Sequence, residues 1–339
     1  MQLTNHARWS VLSGLLLLLF VTNLSLGSVH IPMEDILKIL AGKDVSNTIW
    51  SEIVWDFRVT KALTCILAGS ALSIGGLQMQ TLFRNALAGP DVLGLSSGAS
   101  LAVSLIVMSQ AAGFQLFSSP SPWTIVIGAS LGSAGVFLIV LIIAQRLGDN
   151  TSLLIIGLMI GAATASFVSI LQFLSEAQDQ QAYLLWTFGS LGSLSWVEIQ
   201  VLSLILIAGT FLGIISVKSL NAWLLGDNYA RSIGVNLNKS RLLIILSTSI
   251  LTGSVTAFCG PIAFVGLAVP HLTKLIIKTH NHRVLLPAVM ISGAGLMLFC
   301  DIISQLPGST YVLPINAITA MIGAPVVIWI VLKAKRVSI

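Results

Sequence analysis

Three short patterns in this sequence carry the letters of active chemistry. Gly94-Leu95-Ser96-Ser97-Gly98 fits G-x-S-x-G, the turn that presents a nucleophilic serine in many hydrolases. His280-Asn281-His282 sets two imidazoles where a metal could bridge them, and Lys218-Ser219 and Lys278-Thr279 end like phosphate-cradling loops. Each lacks what its chemistry requires. The serine turn needs a preceding strand, a histidine and an acid, but Ser96 opens an apolar run. Two histidines without cysteine or carboxylate partners make a weak metal site, so a solvated basic loop with Lys278 and Arg283 is the plainer reading. Neither lysine follows the glycine that a phosphate loop demands. Cys65, Cys259 and Cys300 all lie in apolar stretches, which points to neither a disulfide framework nor a metal cluster. The residues nominate no catalytic group, no metal ligand and no cofactor held by the chain itself.

The elements around these patterns explain why. Of 339 residues, 55% are apolar and only 9% charged, against about 25% charged in ordinary soluble domains. So few charges cannot cover a water-exposed surface, so the expected class is an all-α integral membrane protein folded as one polytopic domain, residues 1–339. Apolar runs fall at about 11–26, 59–82, 92–108, 123–144, 153–174, 197–217, 242–259, 262–277, 284–303 and 313–332, ten in all, the eighth short and interrupted by Pro270. The first run reads as a retained helix rather than a cleaved signal, because so many spans follow it. Met33 to Leu40 reads as a short amphipathic helix outside the membrane.

Ten spans put both termini on one side. With that side cytoplasmic, all but four of the 17 basic residues (Lys38, Lys43, Arg58 and Lys61) fall inside or at inner helix ends. The net charge of +5 then reflects membrane orientation and not nucleic-acid binding. Span interiors hold no convincing ionisable residue; Lys61 and Asp301 sit near outer ends. An ion-coupled carrier usually buries such groups, so their scarcity favours an energy source on another chain. Glycines at close-packing spacing (94/98, 128/132, 157/161, 209/213) fit a tight bundle better than a dimer motif. Gly89-Pro90 before Gly94-Leu95 is echoed by Gly260-Pro261 before Gly266-Leu267, five spans later, as an inverted repeat would require.

The most patterned polar segment is the inner loop 221–241. Tyr229, Ile233 and Leu237 recur at helical spacing, and Gly226 and Gly234 suggest two short helices with a turn. Such a knob would suit docking of a motor subunit; a surface helix packed on its own bundle is the plainer alternative.

Here the sequence resembles the FecCD-type permeases, the membrane subunits of bacterial ATP-driven importers for ferric siderophores, haem and cobalamin. The resemblance runs over almost the whole chain. It is carried by Gly226-Asp227 through Ala230-Arg231 to Gly234-Val235, by Cys259 to Leu267 with Val269-Pro270-His271, by Leu313-Pro314 with Ile322-Gly323-Ala324-Pro325, and by Phe83-Arg84-Asn85 with Leu87-Ala88. It implies ten helices with an inverted repeat, in a multi-pass protein of the bacterial inner membrane. Its implied partners are membrane lipid, a second permease subunit, identical or related, and two ABC ATPase subunits that bind ATP and Mg. A soluble or lipid-anchored substrate-binding protein completes the set, with no nucleic acid. By the same resemblance, Gly226, Asp227, Tyr229, Ala230, Arg231, Ile233 and Gly234 would couple to the ATPase. Asn85, Leu87, Asn150 and Thr151 would form inner constrictions, and Arg58 and Lys61 would be exposed charges that orient the binding protein. Three positions depart from the family: Ala86 replaces a usual proline, Asn316 a frequent glycine, and Gln305 an arginine of some members. An ion-coupled secondary transporter, or a scaffold or sensor that moves nothing, would lack ATPase association.

Overall fold

Apolar runs that must satisfy their own backbone in lipid become helices, and the structure is built from them throughout. A computed structural model describes residues 5–43, 45, 47–108, 121–146, 150–305 and 311–337, which form fourteen α-helices, one π-helical and one 3-10 segment. In order they are α1 (Asn5–Ser25), α2 (Met33–Leu40), α3 (Thr48–Glu52), the π segment Ile53–Val59 and α4 (Thr60–Leu82). The 3-10 turn Pro90–Leu93, α5 (Leu95–Val107), α6 (Pro122–Arg146), α7 (Asn150–Leu174) and α8 (Ala177–Thr187) follow. The chain ends with α9 (Trp196–Leu224), α10 (Asp227–Ser232), α11 (Leu237–Cys259), α12 (Val265–Ile277), α13 (His282–Ser304) and α14 (Ile315–Val337).

Seven of these are long and apolar enough to cross a membrane, and α5, α12 and the 315–329 part of α14 are shorter apolar helices. Each of the ten expected apolar runs is thus helical, three of them as shorter helices, and α2 occupies the predicted residues. Ile36 and Ile39 of α2 turn into the bundle while Lys38 pairs with Glu34 and Asp35 on its open side. Two boundaries and one helix differ from the sequence reading. The second span continues backward through the π segment to Thr48. The loop expected at 221–241 narrows to 225–236, because α9 runs on to Leu224 and α11 begins at Leu237. Fully buried Trp223 holds that extension, its indole donating to Ser240 Oγ at 2.8 Å. Finally, α8 was not foreseen; its glutamines and Asp179 give no apolar run to detect.

Packing follows a crossed pattern that fits the inverted repeat. Helix α4 of the first half lies against α12 and α13 of the second, and α11 of the second lies against α5 and α6 of the first. Both short helices, α5 and α12, start after a Gly-Pro and are capped by a left-handed residue, Gly94 (φ 74°) and Phe264 (φ 67°). Pro270 does not break α12. It leaves the Gly266 carbonyl without its helical donor, and that carbonyl faces the bare Cα of Gly76 on α4. Pro90 packs against Gly266 beside this contact. The paired glycines pack within the chain: Gly98 meets Gly132, Gly94 the Gly157 carbonyl, Gly161 Ser97, and Gly209 and Gly213 the α11 side chains Leu251 and Ser247.

Candidate functional site

Two groups of polar residues stand at opposite ends of the bundle. At the end that carries α10, the short helix is set by local chemistry. Gly226, at φ 107°, frees the chain to turn, and Asp227 opens the helix where the peptide dipoles favour an acid. Gly234 (φ 82°) closes it: its N–H bonds the Arg231 carbonyl at 3.0 Å and Val235 N–H the Ala230 carbonyl at 2.9 Å, a Schellman ending. Ala230 is fully buried in a cluster with Trp223, Leu220, Leu82 and Met79, which seats the helix. Tyr229, Arg231 and Ile233 face outward. The stripe expected to continue from Tyr229 through Ile233 to Leu237 is broken, because Gly234 ends the helix and Leu237 turns inward as the first residue of α11. Asp227 is turned toward the bundle and pairs with Arg84.

Asn85, Ala86 and Leu87 form an exposed loop beside α10. Asn85 Oδ1 accepts the Leu87 N–H at 2.9 Å, and His271 Nε2 lies 2.8 Å from the Ala86 carbonyl. The loop is thus held by α12 on one side. Asn150 and Thr151 open α7, and their side chains lie outside the described residues. The motif at 94–98 is a helix cap: Ser96 Oγ donates to Asp91 at 2.5 Å, with no histidine in the pair. The histidine pair separates likewise. His282 is buried, with Nδ1 on Asn221 and Nε2 on Thr81, while His280 is exposed, so the two do not form the solvated loop expected.

At the opposite end, the charges expected to be exposed are engaged internally, which corrects the sequence reading. Arg58 is only 4% exposed. Its guanidinium donates to the carbonyls of Leu24 (2.7 Å) and Ser25 (3.2 Å), which the end of α1 leaves unpaired, and to that of Val29 (2.5 Å) in the following loop. The π segment turns Arg58 toward them. Lys61 pairs with Asp301 at 3.3 Å, and Asp301 also accepts from Asn23 Nδ2 and Gln305 Nε2, each at 2.7 Å. Arg58, Lys61 and Gln305 nevertheless line one surface cleft of about 330 Å3 with Leu26, Phe57 and Val312. Arg58→Lys is expected to cost about 2 kcal/mol of unfolding free energy, since one ammonium cannot reach all three carbonyls. A chemical-denaturation curve in detergent superposing on wild type would contradict that assignment.

Between the ends, α5, α7 and α8 enclose a groove of about 360 Å3 lined by Ser96, Ser97, Ser100, Thr164, Ser169, Gln172, Tyr183 and Thr187. Its polarity comes from hydroxyl and amide groups, without a carboxylate or a basic side chain.

The model of the FecCD transport family matches residues 15–333. The chain belongs to the FecCD transport family. Among its relatives is the hemin transport system permease protein HmuU of Yersinia pestis, 33% identical over 328 residues, covering 95% of this chain and 96% of that one. The vitamin B12 import system permease protein BtuC of Vibrio parahaemolyticus is 33% identical over 337 residues, covering 98% and 97%. Among solved structures, an inward-facing metal-chelate type ABC transporter superposes with a TM-score of 0.79 at 26% identity, covering 95% of this chain and 98% of that one. The FecCD permease is thus a helical membrane transport protein.

Sequence reasoning missed Arg84, His271 and Asp301 as organising residues of the two ends. Arg84 and His271 stood inside family motifs without a role. Asp301, an acid near the end of an apolar span, was the available signal.

Proposed function

We propose that the chain is the translocating subunit of an ATP-driven importer, with α10 as the surface that an ABC ATPase grips. The observation that carries this reading is α10 itself. It is seated from behind by Ala230 and Trp223, and it offers Tyr229, Arg231 and Ile233 outward. A rigid, partly apolar knob at one end of a bundle whose spans hold little charge suits energy delivered from outside. The α10 end and both termini then face the cytoplasm, as the basic residues favour. ATP and Mg bind the ATPase, and hydrolysis occurs there.

The assembly would contain a second permease, two ATPases and a binding protein at the Arg58–Lys61–Gln305 cleft. Lys61, tied to Asp301, offers that protein a shared charge rather than a free one. The cargo class is a metal chelate, either an iron complex (ferric siderophore or haem) or cobalamin, by analogy with relatives named for hemin and vitamin B12. The hydroxyl-lined groove and the exposed Asn85–Leu87 loop would serve as weakly binding walls and constriction, together with Asn150 and Thr151 at the start of α7.

The test is reconstitution with the cognate ATPase and binding protein, with ATP supplied on the ATPase side. Uptake that depends on ATP is expected; uptake without ATP, or no association with the ATPase, sinks the proposal. A Tyr229→Ala/Arg231→Ala double variant is expected to weaken ATPase capture about tenfold, the loss typical of removing an aromatic and an arginine anchor. Unchanged capture on an ATPase affinity resin would remove α10 from the interface.

A further inference from the structure

We propose that Arg84 is the residue that passes movement of α10 to the α4–α5 loop, and so couples ATPase action to the pathway. This rests on the importer reading above and goes beyond it. Arg84 occupies an unusual backbone position. Helix α4 ends in a Schellman motif: Arg84 N–H bonds the Thr81 carbonyl at 3.3 Å and Asn85 N–H the Gln80 carbonyl at 3.2 Å. Arg84 is the left-handed residue of that motif, at φ 46°. Glycine ordinarily fills this place, because a side chain there crowds the backbone. The same ending on α10 does use glycine, Gly234. A side chain kept in a disfavoured conformation points to a task that the side chain performs.

The contacts identify the task. Arg84 pairs with Asp227, the first residue of α10, and its Nε donates to the Trp223 carbonyl at 3.2 Å, at the end of α9. One side chain therefore grips both ends of the turn that carries α10. Its own backbone is the start of the exposed loop Asn85–Leu87. The far side of that loop is anchored by His271 to α12. Beyond Ala88 the chain runs directly into Pro90, wedged against Gly266 between α4 and α12. A displacement of α10 thus pulls on a loop suspended between two helices of opposite repeats. The ion pair is about half exposed, so its contribution to the stability of the fold is small. Its worth lies in what it connects. Arg84 is a positioning residue and is not itself required to touch cargo or ATPase.

Arg84→Gly separates these roles, because glycine suits the left-handed backbone while removing the grip. Wild type, R84G, D227N and the exchanged pair R84D/D227R are each reconstituted with the cognate ATPase and binding protein, and cargo moved per ATP hydrolysed is measured. R84G is expected to keep its Tm, copurify with the ATPase and hydrolyse ATP within about twofold of wild type, while cargo per ATP falls about tenfold. D227N should show the same loss, and R84D/D227R should recover most of it. Cargo per ATP at the wild-type ratio in R84G or D227N overturns the proposal. So does an exchanged pair no better than its single variants, or a fall in R84G Tm or assembly, which would make Arg84 a residue that only holds the fold. If wild type itself shows no ATP-dependent uptake, the importer reading has failed instead.

Discussion

A Gly76→Val permease is expected to be recovered from membranes at a small fraction of the wild-type amount, and the remainder to unfold far below the wild-type Tm. At Gly76 the backbones of α4 and α12 touch without side chains between them. A Cβ there would run into the carbonyl, carbonyl carbon and Cα of Gly266. Nothing flexible can yield. Gly266 is also crowded by Pro90 and by the Leu72 carbonyl of α4, so the contact has no spare room for a side chain. Overpacking at a backbone–backbone contact belongs to the exceptional class of substitutions costing more than about 4 kcal/mol. In lipid the effect is sharpened, because close approach is the main attraction between helices. Gly135→Ala on α6 is the control: a Cβ there meets nothing, and replacing a helical glycine by alanine stabilises by about 1 kcal/mol. The measurements are monodisperse yield on size exclusion and thermal unfolding in detergent. A well-behaved Gly76→Val protein with wild-type Tm would disprove the contact.

The second large effect is expected from Lys61→Met. Asp301 is nearly buried on α13, and Lys61 on α4 is the cation beside it. Removing one partner of such a pair leaves an unneutralised charge, at about 3–5 kcal/mol when both groups are fully buried. Lys61 retains 19% exposure, so the expected loss is nearer about 2–3 kcal/mol. The amides of Asn23 and Gln305 soften it further but carry no charge. Asp301→Asn in the Lys61→Met background should recover most of the loss, because a neutral amide tolerates the apolar surroundings. Asp301→Asn alone should cost less than Lys61→Met, since the lysine can turn into the adjoining cleft. A double-mutant cycle of unfolding free energies reads the coupling directly; additive single losses would show that the two residues are independent. The cycle also bears on docking. If Lys61 is released in Asp301→Asn, an acidic partner should bind the cleft more tightly at low salt than at high salt.

Most of the site depends on such long-range pairs. The loop with Gly226 and Gly234 was visible as a motif, yet its inward face was not. Asp227 and Arg231 look equivalent on a helical projection; in the structure Asp227 pairs with Arg84 while Arg231 is exposed. Arg58 and Lys61 looked alike as charges at the start of a span. One instead completes the carbonyl end of α1 and the other neutralises Asp301.

The sequence by itself determined the apolar helices and the class of protein, because lipid imposes a local rule. Every span must be long, apolar and self-bonded, and that rule can be read within about 20 consecutive residues. Capping is local too: Gly226 and Gly234 bound α10, although the structure has one short helix there and not the two expected. The tertiary structure alone decided which helices cross, where α4 meets α12, and that Arg84, at the head of the Asn85–Leu87 loop, pairs with α10. Those choices set residues more than a hundred positions apart against one another. Interhelical packing in a membrane is made by small residues and a few polar pairs, whose partners leave no periodic trace along the chain.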